Sequence, residues 1–211
     1  MMRFLNVVTA ISIAVLTTGC VRTTHKLSEV GETVTDDEIV GVWEEHDPIF
    51  GVLESDRISI EACANGGYEM RSLNPRKNGE LVTPFCLVKA AGGIFVEVNY
   101  YEMACLSEPT LSEADKKKLA NEPGTLFPYR WERRGDWIAL STANRSKIDH
   151  HLKKGELVGE SWGGFLGVTG ITSTAADLEA FIKRHGDDVF DSRQIYKRVS
   201  KDVSRQVNQA N

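Results

Sequence analysis

Gly159-Glu160-Ser161-Trp162-Gly163 is the sharpest chemical pattern in the chain, a match to G-x-S-x-G. In serine hydrolases that spacing makes a tight strand-to-helix elbow, which lifts the serine oxygen toward a histidine base and an oxyanion hole. Ser161 would be the nucleophile, His185 the base and Asp177 its orienter, in the chain order those enzymes use. The surroundings argue against it. Gly163-Gly164-Phe165-Leu166-Gly167 leads to another strand, where the elbow needs a helix. Asp177 and His185 fall on one expected helix, roughly 12 Å apart along its axis at 1.5 Å per residue, too far for a direct hydrogen bond. A Gly-rich hairpin accounts for the pattern, and no catalytic residue is expected.

His150-His151 is the one histidine pair. Neighbouring helix positions point about 100° apart, so the two cannot share a metal ion as histidines four apart do. They read as solvated residues at a helix end, where the dipole favours positive charge. His46-Asp47 is a loop dipeptide without a supporting cluster. There is no H-x-x-x-H, no C-x-x-C and no GK[ST] phosphate loop, so neither a metal nor a cofactor is expected. Arg134-Gly135-Asp136 reads as a hairpin turn and Lys116-Lys117-Lys118 as a solvated helix face.

Apolar binding is the remaining chemistry. Trp43, Tyr68, Tyr100, Tyr129 and Trp131 fall on the inward phase of expected strands. A cavity lined by such rings suits an apolar ligand with one polar end. Residues of these types more often simply fill a core.

Short strands must position these groups. From residue 39 the dominant period is two. Residues 57–62 and 68–71 alternate around the turn Ala64-Asn65-Gly66-Gly67. Residues 83–89 and 94–100 alternate around Ala91-Gly92-Gly93, and residues 129–133 and 137–141 around Arg134-Gly135-Asp136. Strands at 156–160, 167–172 and 194–199 complete the set. Alternation puts Ile58, Ile60 and Ala62 inside, with Tyr68, Met70, Cys86 and Val88. Ile94, Val96, Val98, Ile138 and Leu140 join them. The fold class is therefore mainly β, an antiparallel meander closed into a barrel or stacked as a sandwich. Three helices interrupt it. Ser112 caps the first and Ser146 the second; Thr174 and Asp177 make a capping box for the third, C-terminal one, which Gly186 should end.

The N-terminus carries an address. Met1-Met2-Arg3-Phe4-Leu5-Asn6 is a short positive region, and Val7 to Leu16 is an apolar run too short to span a ~30 Å hydrocarbon core. Thr17-Thr18-Gly19-Cys20 follows. This segment resembles a bacterial lipoprotein signal, although Thr17 stands where that family prefers an aliphatic residue. The resemblance implies cleavage after Gly19, lipidation of Cys20 with diacylglycerol and an acyl chain such as palmitate, and membrane attachment through that anchor. Val21, in place of an aspartate, implies the outer membrane, with the body facing the periplasm. The expected organisation is a signal peptide at 1–19, lipidated Cys20 with a flexible tether to residue 38, one β-rich domain at 39–200 and a polar tail at 201–211. An oxidising periplasm suits a disulfide. Cys86–Cys105 is favoured, with Cys63–Cys105 or no bridge as alternatives, because Cys63 and Cys86 fall on opposite strand phases.

Asp36-Asp37-Glu38-Ile39-Val40-Gly41-Val42-Trp43 is similar to the opening of the lipocalin-like (calycin) family, a short turn followed by Gly-x-Trp on the first strand. The resemblance implies a barrel whose floor is closed by the tryptophan. The family's later Thr-Asp-Tyr loop, and the arginine that stacks on the tryptophan, are not recognisable in the sequence.

Composition bounds the function. The chain has 211 residues, 41% apolar and 26% charged, which suits one globular domain. Its net charge of −5 gives no general attraction to nucleic acid, and none is expected as a partner. The reading is a non-catalytic, lipid-anchored envelope protein, an interaction or structural module docking another envelope component. The alternative is a lipocalin-like binder of a small apolar ligand.

Overall fold

The computed structural model describes residues 20–47, 51–64, 66–73, 82–107, 112–120, 124–162 and 168–202. Residues 1–19, where a signal peptide is expected, and most of the C-terminal tail lie outside them. The first seven strands are β1 (Cys20–Thr23), β2 (Glu32–Val34), β3 (Gly41–Asp47), β4 (Gly51–Ala62), β5 (Tyr68–Ser72), β6 (Val82–Ala90) and β7 (Gly93–Val98). Helices α1 (Tyr100–Ser107) and α2 (Glu113–Ala120) follow, then β8 (Thr125–Leu126), β9 (Tyr129–Arg134) and β10 (Trp137–Ala143). Helix α3 (Arg145–Lys153), β11 (Gly159–Trp162), β12 (Val168–Ile171), α4 (Ala175–Val189) and β13 (Phe190–Ser200) complete the chain.

Eight strands close into an antiparallel barrel in the order β3-β4-β5-β6-β7-β9-β10-β13, with β13 returning to β3. The order round the ring is the order along the chain, so this is an up-and-down meander. Closure leaves the ring with no open edge. β2 adds to the part of β6 that β5 leaves uncovered, pairing at residues 87–89 while β5 pairs at 82–85. A smaller sheet, β11-β12-β1-β8, lies outside the ring; in it β1 runs parallel to β12 and antiparallel to β8.

Two apolar clusters hold the fold. The first fills the barrel and includes Trp43, Ile60, Leu87, Val98, Trp131 and Ile138. The second lies between the outer wall of β6–β7 and the elements packed on it, with Val88, Phe95, Leu27, Ile171, Leu178 and Phe181. Each fully buried side chain of this kind contributes about 1.5–3 kcal/mol.

Several expectations are corrected. The segment expected to be a tether is folded: β1, β2 and the 3₁₀ turns Leu27–Glu29 and Asp37–Ile39 occupy it, and Leu27 and Ile39 are buried. On β6 the phase is reversed. Phe85 and Leu87 point into the barrel, whereas Cys86 and Val88 pack on the outer cluster. Val96 and Val98 do face inward, but Ile94, on the same face, is exposed, and so is Ala62. Asn144, in place of Ser146, caps α3, accepting from the N–H groups of Ser146 and Lys147. Thr174 caps α4 as expected, but that helix runs through a buried Gly186 to Val189. Tyr100 opens helix α1 instead of ending β7.

Candidate functional site

The barrel floor is built around Trp43, which has 0% exposure. Its indole N–H donates to the carbonyl of Ile39 at 2.8 Å, tying β3 to the 3₁₀ turn before it. Arg198, near the end of β13, lays its guanidinium over the indole, 4.5 Å from the ring centroid. That guanidinium donates to the carbonyl of Glu38 and sits 3.2 Å from Asp136 Oδ1. The sequence did not reveal this arginine. Only the register of the last strand against the first, Trp43 opposite Arg198, identifies it. Gly41 has φ +147°, and a Cβ there would lie 2.5 Å from the carbonyl oxygen of Ser200. The glycine of Gly-x-Trp is what lets β13 approach closely enough to close the ring.

The five aromatic candidates share one cluster. Trp43, Tyr68 and Trp131 are buried in it, and Tyr100 and Tyr129 pack at its margin. The Tyr68 ring stacks on Phe85 at 5.3 Å, and its hydroxyl oxygen accepts the backbone N–H of Asp36 at 2.6 Å. That hydroxyl is engaged by the fold. Tyr100 lies under the guanidinium of Arg22, 3.8 Å from the ring centroid.

An open cleft of about 1110 Å³ runs along the outer wall of β5, β6 and β7. Glu69, Pro84, Cys86 and Glu97 form part of its lining, and Lys26, Tyr101, Glu102 and Lys116 line it from the elements alongside. Glu97 is 6% exposed. Its carboxylate accepts the backbone N–H of Ser28 at 3.1 Å and the Ser28 hydroxyl at 2.7 Å, which offsets the cost of burying it. Cys86 is a free thiol, and the expected Cys86–Cys105 pairing rests on a residue that is not fully described. The side chain of Cys105 lies outside the described residues. Cys86 Sγ sits 3.9 Å from Glu97 Oε1, and burial, with the charge of Glu97 added, pushes the thiol pKa up to about 11. Cys63 is also free and lines the same cleft. Sequence reading missed Glu97; its only signal is a carboxylate inside an apolar strand.

Ser161 is held in a different network from the one its motif suggests. Its hydroxyl lies 3.1 Å from Thr169 Oγ1 and accepts from the Arg145 guanidinium at 3.1 Å. Arg145 is buried, donates to Thr169 at 3.0 Å and lies 3.7 Å from Asp149. Asp177 is occupied in the cap of α4, where it accepts the Thr174 hydroxyl at 2.7 Å. The structure gives neither Asp177 nor His185 a hydrogen bond to Ser161. Gly159 is required by packing, because a Cβ there would collide with the carbonyl oxygen of Gly170 on β12.

The histidine pair divides. His150 is exposed, but His151 is 5% exposed, packed edge-on to Phe181 at 5.0 Å. The expectation of two solvated histidines fails for His151, because adjacent helix positions face different sides and α4 covers one of them. His151 Nδ1 is in hydrogen-bond contact with Glu156, and its ring centroid lies 4.4 Å from that of His185. Side-chain ligand atoms of His151, Glu156 and His185 all lie within 4.8 Å of one another.

Compared with known proteins, the chain matches no family model, no curated protein and no solved structure.

Proposed function

We propose that the chain is a non-catalytic, lipid-anchored protein of the bacterial cell envelope, in the outer membrane and facing the periplasm, whose barrel docks another envelope component. The observation that carries the docking reading is where the open space lies. A cleft of about 1110 Å³ lies on the outer wall, where Lys26, Glu69, Glu97, Glu102 and Lys116 stand among apolar groups such as Pro84 and Phe85, and apolar side chains cluster around Trp43 in the barrel. An open cleft with a mixed charged and apolar lining suits a polypeptide segment. The test places a photo-crosslinking amino acid at Tyr101 or Glu102 in cells. One discrete protein adduct is expected from these positions, and none from Lys183, exposed on α4 and not among the cleft's lining residues. Cleft positions that give no adduct sink the docking reading.

The anchor rests on the Gly19-Cys20 signal. A lipid at Cys20 would hold the body against the bilayer, since β1 begins at that residue. Cys20→Ser is expected to leave the membrane fraction or accumulate unprocessed. A variant that fractionates as the wild type does overturns the anchor.

The barrel itself favours the second reading, a lipocalin-like binder. Its support is the meander order together with the Gly41, Trp43 and Arg198 floor. N-phenylnaphthylamine, an apolar fluorescent probe, tests it. Saturable one-to-one binding with energy transfer from buried tryptophan would move the assignment to that reading.

A further inference from the structure

We propose that His151, Glu156 and His185 form a binding site for a divalent transition metal, with Zn²⁺ the ion that suits it best. This goes beyond the docking reading and does not depend on it. The three residues come from the last turn of α3, the loop just after it and the last turns of α4, so the site sits where the two helices meet.

Four observations carry it. First, the ligand atoms lie within 4.8 Å of one another, and His185 Nε2 is 3.9 Å from Glu156 Oε2. Zinc bonds of about 2.0–2.1 Å in a tetrahedral site separate donor atoms by roughly 3.3 Å, so changes of up to about 1.5 Å in the donor separations would seat the ion. Second, His185 Nε2 is buried and makes no hydrogen bond among the described residues. A structural hydrogen bond explains the contact of His151 with Glu156 but leaves this nitrogen without a partner. A metal ion would satisfy it. Third, the environment is that of a supported ligand set. The far nitrogen of His151, Nε2, lies 3.9 Å from Asp188 Oδ2, and Lys147 donates to the other oxygen of Asp188 at 3.2 Å. Metal-bound histidines typically direct their second nitrogen at a carboxylate in this way. Phe181 packs against both imidazoles, at 5.0 and 5.1 Å, and fixes their planes. Fourth, a cavity of about 300 Å³ adjoins the cluster, lined by Glu156 and His185 together with Val158, Ser173, Asp177 and Arg184. It leaves room for water or a small anionic ligand at a fourth coordination position.

The donor set selects the class of ion. Two imidazole nitrogens and one carboxylate suit zinc and its transition-metal neighbours, and not Mg²⁺ or Ca²⁺, which take oxygen ligands. His150 is exposed and is not one of the three clustered ligands.

The test titrates metal-free full-length protein with Co²⁺, read by its visible absorption, and then displaces it with Zn²⁺. One equivalent with the strong absorption of four-coordinate Co²⁺ is expected, and Mg²⁺ should not compete. Glu156→Gln and His185→Gln should each weaken binding by more than ~100-fold, Asp188→Asn by about 10–100-fold, and His150→Gln should leave it unchanged. Circular dichroism checks that each variant is folded. His185 lies at the cavity wall, so its variant keeps the experiment decisive if the buried His151 cannot be replaced. Wild-type protein that shows no saturable one-equivalent binding overturns the site, as does binding that survives His185→Gln at full affinity.

Discussion

Trp43 and Trp137 are the same residue type in opposite settings. Trp43 is enclosed between Ile39, Arg198 and the barrel interior, whereas Trp137 is 36% exposed and rests against His46 and Lys197. Trp43→Ala should cost about 3–5 kcal/mol in urea unfolding, and Trp137→Ala about 1 kcal/mol or less. Equal midpoints would contradict the assignment of inside and outside. Cys86 offers a second residue-scale outcome. Its thiol pKa of about 11, against an ordinary 9.0, makes the thiolate about a hundredfold scarcer at pH 8, and alkylation mapped to that residue should slow accordingly. The fold favours the neutral thiol. The stability it contributes is complete below pH 9 and fades as pH rises toward 11, a loss that Cys86→Ala should lack when melting is followed against pH. The sequence made Trp43 legible as an inward-facing residue because it stands on the inner phase of its strand. It hid Arg198, whose role depends on pairing with residues at the other end of the chain. It hid His151 too, since two neighbouring histidines give no sign of which one a second helix will cover.

Strands were readable where one face is wet. β9 alternates, with Trp131 facing inward between partly exposed Arg130 and Glu132, and on β10 Ile138 faces inward as its spacing indicates. β6 misleads because it is buried on both faces, with Leu87 in the barrel and Val88 under α4 and the 3₁₀ turn at Leu27. Its apolar run then carries no phase, and the reading put Cys86 on the wrong side. The supposed tether failed for the opposite reason. β1 and β2 gain their place through backbone pairing with β12 and β6, which polar residues such as Arg22 and Thr33 support without any apolar periodicity. The first strand of the ring gives the element-scale prediction. Gly41→Ala would drive a methyl against the carbonyl of Ser200 at a φ that L side chains rarely adopt, so a loss of about 1–3 kcal/mol is expected. Gly135→Ala, in a turn with nothing near its Cβ position, should cost less. Thermal melts of the two variants check the order.

At the scale of the whole molecule, the chain builds two sheets that share no strand, and each joins early residues to late ones. β1 needs β12, and β3 needs β13. The barrel therefore closes only when the C-terminal strand arrives. A chain that emerges from its N-terminus must hold the hairpins β3–β4 and β9–β10 with open edges until residues 190–200 are free to insert between β3 and β10. Loop closure over such a separation is slow, and exposed edges pair with other chains in the meantime. Refolding should accordingly show a slow final phase in which the fluorescence of Trp43 changes as Arg198 settles on it. A chain ended after Val189 should aggregate through β3 and β10 and not persist as a seven-stranded sheet; sedimentation of the truncated protein would decide it. The span between Trp43 and Arg198 that completes the native barrel is also the interval during which the protein depends on keeping its own chains apart.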